Sequence, residues 1–91
     1  MNIKVENMQS SNGNDVPNQF IITKGSKQYF QSYETVIAVK DWKNDSIVLD
    51  KNKWDCSITT GKYRNQFLGM NIAETRQAIA DKKIKLRNLN K

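Results

Sequence analysis

The sequence contains no histidine, the side chain that most often acts as a general acid or base near neutral pH. This absence excludes Ser-His and Cys-His nucleophile systems and most catalytic zinc sites. The four glycines fit neither the G-x-G-x-x-G nor the Walker spacing, which excludes the usual phosphate-binding loops. Two D-x-K triplets would suit a magnesium-dependent nuclease, but such triplets are common by chance in a lysine-rich chain. We therefore expect a protein that is not an enzyme and holds no cofactor and no metal.

Cysteine and long apolar runs are also scarce. The single Cys56 cannot form an internal disulfide, and we expect it to be a small packed residue in a protein of a reducing compartment. The longest apolar run, residues 36–39, is far shorter than the roughly 20 residues that span a bilayer. Residues 1–8 lack the apolar segment of a secretory signal. We expect a soluble protein with no membrane partner.

The sequence does contain an uneven distribution of charge. Residues 1–50 hold five lysines and six acidic residues, whereas residues 51–91 hold ten basic and three acidic residues. The net charge of +6 is thus the sum of −1 and +7. A positive field attracts nucleic acid, anionic membranes or acidic protein surfaces. Many small proteins are basic only because charge keeps them soluble, so charge alone does not identify the partner.

Alternating apolar residues and turn residues predict an α+β fold in a single domain, residues 1–91. We expect a small antiparallel β-sheet, a meander of about four to five strands, with two C-terminal helices. Residues 9–18 hold the only proline and many small polar residues, which predicts a flexible loop. The predicted strands cover residues 2–6, 20–23, 28–30, 35–39, 46–49 and 84–87, and we expect the first of them to be a half-buried strand at a sheet edge. The predicted helices run from Ser57 to Gly69 and from Asn71 to about Lys83.

Two features of the C-terminal half allow a structural and a functional interpretation. On the second predicted helix, Ile72, Ile79 and Ala80 share a face with Arg76 and Lys83. The two basic stems either extend over the apolar face or form a site for an anion or a partner. In residues 51–67, basic residues alternate with aromatic residues, a pattern typical of single-strand binding by stacking. The aromatic residues of this segment, Trp54, Tyr63 and Phe67, would alternatively belong to the core.

Several phrases of the sequence resemble a family of small phage-borne proteins of unknown function. They are GNDVPNQF at residues 13–20, YFQSY at 29–33 with Ile37-Ala38, Leu49-Asp50 through Trp54-Asp55 to Ser57, and TTGKYRNQFLG at 59–69. The resemblance covers most of the chain from about residue 7 to residue 69. It implies an accessory role in the host: blocking a defence system, redirecting a host enzyme or binding phage DNA. It assigns no catalytic residue.

We therefore expect a non-enzymatic phage accessory protein of the host cytoplasm that binds and inhibits a host nucleic-acid-handling defence complex, of the anti-CRISPR or anti-restriction type. Its partner would be a host protein or ribonucleoprotein complex with an acidic surface. The alternatives are a sequence-tolerant DNA- or RNA-binding protein of phage replication or packaging, and a self-associating structural protein. The expected binding residues are eight basic and two aromatic side chains: Lys51, Lys53, Lys62, Arg64, Lys82, Lys83, Lys85, Arg87, Tyr33 and Trp54.

Overall fold

The computed structural model describes residues 3–10 and 12–90. These residues form one six-stranded sheet and two helices, which confirms the α+β class. The strands lie side by side in chain order; the first five are antiparallel, and the last pairs with the fifth in parallel. The elements are β1 (Ile3–Gln9), β2 (Asp15–Lys24), β3 (Lys27–Ser32), β4 (Thr35–Asp41), β5 (Ser46–Asp50), α1 (Ile58–Leu68), α2 (Ile72–Ala80) and β6 (Ile84–Arg87).

The turns and helix ends follow local sequence signals. Gly25 has φ +61° in the two-residue turn between β2 and β3, which confirms the predicted hairpin. The Ser57 side chain accepts a hydrogen bond from the Thr60 N–H and begins α1, which ends before Gly69 at φ 72°. Asn71 and Glu74 form a capping box at the start of α2. Both predicted helices are confirmed, as is the hairpin of β4 and β5.

The helix α2 ends at Ala80, before the predicted end near Lys83. Lys82 has φ 62°, and its N–H donates to the Ile79 carbonyl at 3.1 Å, while the Lys83 N–H donates to the Ala78 carbonyl at 2.9 Å. This is the Schellman pattern, in which a left-handed residue reverses the chain and satisfies the last carbonyl groups. The chain then enters β6 directly.

The N-terminal predictions need two corrections. We predicted a loop at residues 9–18, of which residue 11 lies outside the described residues. In the structure, Gln9 still belongs to β1 and Asp15 already begins β2, so the connection between the strands is much shorter than predicted. Pro17 is accommodated because the register of β1 and β2 is irregular there. The strand predicted at 2–6, whose residue 2 is likewise not described, does lie at the edge of the sheet. However, Ile3 and Val5 are each 61% exposed rather than half-buried.

The core lies between the helices and one face of the sheet. Phe30, Ala38 and Leu49 of the sheet are fully buried, and the Phe30 and Phe67 ring centroids are 5.8 Å apart. The helix α2 contributes Ala78 and Ile79, which pack against this core. Among the described residues, neither helix is long and apolar enough to cross a membrane.

Candidate binding surface

The two faces of the sheet differ in what covers them. On one face, the Thr60 hydroxyl lies 3.2 Å from the Ser32 hydroxyl, and Lys40 Nζ donates to the Phe67 carbonyl oxygen at 2.7 Å. Burial lowers the pKa of this lysine. Side chains alternate along a strand, and directly opposite residues share a face. The strand registers therefore define the residues of the other face, which we call the open face because it points away from the helices.

A continuous row of side chains crosses the open face from one sheet edge to the other. Its first member is 61% exposed, and its four central members are half-buried. Four of these five members are β-branched aliphatic residues, and the fifth is an aromatic residue at the centre of the row. The row consists of Val5, Ile22, Tyr29, Val39 and Val48, and it ends at Lys85.

Basic residues flank this apolar row. Lys24 and Lys27 face each other at the turn between β2 and β3, and Lys85 and Arg87 are two residues apart on β6. Two acidic residues, Asp41 and Asp50, occupy the adjoining rows, but both are buried. Both carboxylates accept hydrogen bonds from groups of the same chain. The exposed charges in these rows are accordingly positive.

The Asp50 carboxylate fixes the C-terminal residues to the sheet. It is 1% exposed and accepts hydrogen bonds from the Leu89 N–H at 2.8 Å and the Asn52 N–H at 3.2 Å. Burial alone would raise the pKa of this carboxyl group. The hydrogen bonds it accepts, led by that from Leu89, lower the pKa by a larger amount, so the pKa lies below its usual range. The Asn90 side chain bonds the N–H and the carbonyl of Val36, each at 2.7 Å. This contact closes one end of the open face.

The structure places five of the predicted binding residues along one sheet edge. β6 is that edge, and Lys51 lies beside it because its N–H donates to the Arg87 carbonyl at 2.8 Å. All five side chains are exposed. We call this group the basic edge; it consists of Lys51, Lys82, Lys83, Lys85 and Arg87.

Arg64 does not belong to any binding surface, and its prediction as a surface residue is wrong. It is 1% exposed, and its guanidinium donates to the Trp54 carbonyl at 2.7 Å, to Asp55 at 3.2 Å and to Asn65 at 2.9 Å. Gly61, one helical turn earlier, has no side chain, and a Cβ there would lie 3.5 Å from the guanidinium.

Trp54 is also engaged within the molecule. Its ring is half-buried, and the guanidinium carbons of Arg64 and Arg76 lie 5.2 Å and 5.4 Å from its centroid. Arg76 donates to Asp55 at 3.0 Å. Arg76 therefore contacts groups of the same chain, the Trp54 ring and the Asp55 carboxylate in the loop before α1, rather than extending over its own helix face. Trp54 is therefore not a free aromatic anchor.

The remaining predicted residues lie apart from the open face or at its margin. Lys62 is exposed on α1, and Lys53 is exposed in the loop before it. Tyr33 is 60% exposed in the turn between β3 and β4 and has φ 55°, an uncommon conformation for a bulky residue. It thus remains available as an aromatic anchor.

The helical segments correct three further expectations. Tyr63 and Phe67 are buried, which confirms their core interpretation and removes the predicted stacking surface of residues 51–67. Ala80 is exposed, and the buried residue of α2 is Thr75, so the predicted apolar stripe is displaced. Cys56 is exposed, because it lies in the loop that precedes the N-cap of α1 rather than in a packed element.

An open groove of about 640 Å³ lies beside the start of α1. Its lining includes Cys56, Ile58, Lys62 and Ile72, with the buried Arg64 below them. Ile58 is 94% exposed at this groove. A single exposed apolar residue is common on protein surfaces and does not indicate a site.

The chain belongs to a family of unknown function (DUF8033), whose sequence profile matches residues 3–85. No curated protein and no solved structure matches the chain. The membership extends over all eight elements except the end of β6. The phage context inferred from the sequence phrases stays a prediction.

Proposed function

We propose that this protein is a non-enzymatic binding protein whose open face docks a protein partner that has an apolar centre and an acidic rim. The observation that carries this proposal is the row from Val5 to Val48, which points away from both helices and ends at the basic edge. Large apolar rows that no element of the same chain covers are typical of interaction surfaces. Positive charge at the margin favours an acidic partner and accelerates association.

The chemistry of the row favours protein over nucleic acid. Val5, Ile22, Val39 and Val48 offer aliphatic contacts that bury well against apolar side chains. Bases of single strands bind mainly by stacking on aromatic rings, and Tyr29 is the only aromatic member of this row. A protein partner uses the whole row, whereas a nucleic acid uses one residue of it.

The partner that we propose is a host nucleic-acid-handling defence complex, which the protein would inhibit in the manner of an anti-CRISPR or anti-restriction factor. Two arguments support this choice: the resemblance to phage-borne proteins, and the positive charge of the basic edge, which favours an acidic surface on the partner. An inhibitor that acts by occupying a surface needs no catalytic residue. We assign that role to the open face and the basic edge.

The alternative function, direct and sequence-tolerant binding of DNA or RNA, is favoured by one observation. The basic edge gathers five exposed cations beside Tyr29's row, which is an arrangement that can hold phosphates. For direct binding, log affinity falls with log salt by about 0.7 to 0.9 per phosphate neutralised. An apolar protein interface depends on salt less steeply.

Fluorescence anisotropy with labelled single- and double-stranded DNA and RNA at two salt concentrations separates the two functions. We expect only weak binding, in the nonspecific range of about 10⁻⁴ to 10⁻⁶ M, that the variant Lys85→Glu/Arg87→Glu removes. Nanomolar binding with a steep salt dependence would replace the proposed function by the alternative.

A further inference from the structure

The outer side of β1 is an unprotected strand edge. β1 pairs with β2 alone within the described residues, so the backbone groups on its other side have no strand partner. Ile3 and Val5 are each 61% exposed on this strand. Edges of this kind pair readily with another strand unless charge, proline or a bulge prevents it. The irregular register near Asn7 and Gln9 limits the regular part to residues 3–7.

The charges on this segment are self-complementary. Lys4 and Glu6 are two residues apart and share a face of the strand, with Lys4 Nζ 3.7 Å from Glu6 Oε1. Both side chains are largely exposed, at 70% and 53%. If two copies pair antiparallel about Val5, each Lys4 lies opposite the partner's Glu6. Directly opposite side chains are about 4.5 to 5.5 Å apart at Cβ, so each ion pair within a strand gains a second one across the strands.

Other registers of the same segment bring like charges together. A pairing about Lys4 places two lysines opposite each other, and a pairing about Glu6 places two carboxylates opposite each other. Both arrangements are destabilising. We propose that a second copy of this chain binds at β1 in the register centred on Val5, which joins the two sheets into one.

The opposite edge of the sheet cannot pair in this way. β6 carries Lys85 and Arg87, and Lys82 and Lys83 precede it directly. Two copies of this edge would place cations against cations, which is how natural proteins prevent edge-to-edge association. Self-association is thereby directed to β1, and the basic edge stays available at both outer ends of the dimer.

The pairing continues the open face across the dimer. Val5 of one copy lies beside the partner's Val5, so the two apolar rows meet at the two-fold axis. About five residues a side bury less area than the roughly 1,000 Å² expected of a stable interface, and we expect a dissociation constant in the micromolar range or weaker. The proposal does not depend on the proposed function, since the dimer requires no other partner.

Sedimentation analysis of three charge variants tests this pairing. We expect wild type to dimerise with rising concentration, and Lys4→Glu and Glu6→Lys each to weaken dimerisation because four like charges then meet at the axis. An equimolar mixture of these two variants restores both opposite-charge contacts across the strands, although not the ion pair within each strand, so we expect a heterodimer about tenfold tighter than either variant's homodimer. Lys62→Glu, which changes the net charge by the same amount as Lys4→Glu but lies on α1, is the control and should dimerise as wild type does.

Three results would overturn the proposal. Wild type and the mixture could both stay monomeric at several hundred micromolar; the single variants could dimerise as well as wild type; or Lys62→Glu could weaken the dimer as much as Lys4→Glu does. Circular dichroism of each variant shows whether the fold is retained. The mixture keeps the test decisive, because a misfolded variant could not restore the dimer.

Discussion

Arg64 is a basic residue that hydrogen bonds withdraw from the protein surface. Its guanidinium joins the loop before α1 to the helix itself through Trp54, Asp55 and Asn65. Removing Arg64 leaves the half-buried Trp54 carbonyl without this donor, whereas the exposed Asp55 keeps Arg76 as its partner. The residue therefore contributes to stability rather than to the electrostatic surface.

We predict that Arg64→Met lowers the free energy of unfolding by about 2–4 kcal/mol, because the Trp54 carbonyl loses its donor while the volume is nearly conserved. Lys62→Met, an exposed neighbour on the same helix, should change it by less than about 0.5 kcal/mol. Urea unfolding of both variants measures the difference. Equal stabilities would show that the Arg64 network is not structural.

Lys82 occupies a backbone conformation that suits glycine. Its φ of 62° is required by the Schellman turn after α2, and a side chain makes this conformation costly. We predict that Lys82→Gly raises the free energy of unfolding by up to about 1 kcal/mol, since the relief of strain exceeds the entropy gained by the unfolded chain. Lys83→Gly, at a position outside the left-handed region, should lower it. Chemical unfolding that ranks these variants in the reverse order would contradict this account of the turn.

At the scale of elements, the C-terminal residues are held by one carboxylate. Asp50 accepts the Leu89 N–H, and its pKa lies below the usual value because its hydrogen bonds outweigh burial. The folded state therefore releases this proton at lower pH than the unfolded state does, whose pKa is about 3.9. The stabilisation is fully present above about pH 5 and is lost as the pH falls through the folded-state pKa.

We predict that Asp50→Asn reduces stability at pH 6 by about 1–3 kcal/mol, because a buried charged acceptor is lost. Between pH 6 and pH 3, wild type should lose more stability than the variant, whose other carboxyl groups, including Asp41, are unchanged. Urea unfolding at both pH values measures this difference. Parallel losses would mean that Asp50 does not hold the tail.

Elements with local signals could be predicted from the sequence, and those that depend on distant pairing could not. Gly25, Ser57 and the Asn71 capping box identify their turn and helix ends within a few residues. The start of β2 at Asp15 carries no such signal, because its polar residues become a strand only when β1 supplies the ladder. The parallel pairing of β6 with β5 likewise depends on how α1 and α2 cross the sheet.

At the scale of the whole molecule, the fold gathers several basic residues at one sheet edge and buries another, Arg64. The basic edge forms because residues 82–87 are contiguous and Lys51 pairs with the end of β6, so the sequence contains most of its signal. The open face has no comparable signal, since its members come from five strands and their common face follows only from the registers. Arg64 was assigned to the surface because sequence does not reveal which side of α1 meets the loop.

The open face and its basic edge together form the surface that we propose binds an acidic partner. The most direct measurement compares capture of proteins from a host lysate by two immobilised variants with equal net charge. Lys85→Glu/Arg87→Glu alters the basic edge, whereas Lys43→Glu/Lys62→Glu alters a turn and α1. We predict that wild type and the second variant retain the same partner and that the first loses it. Retention of that partner by the first variant, or its loss from both, would contradict the assignment of this surface.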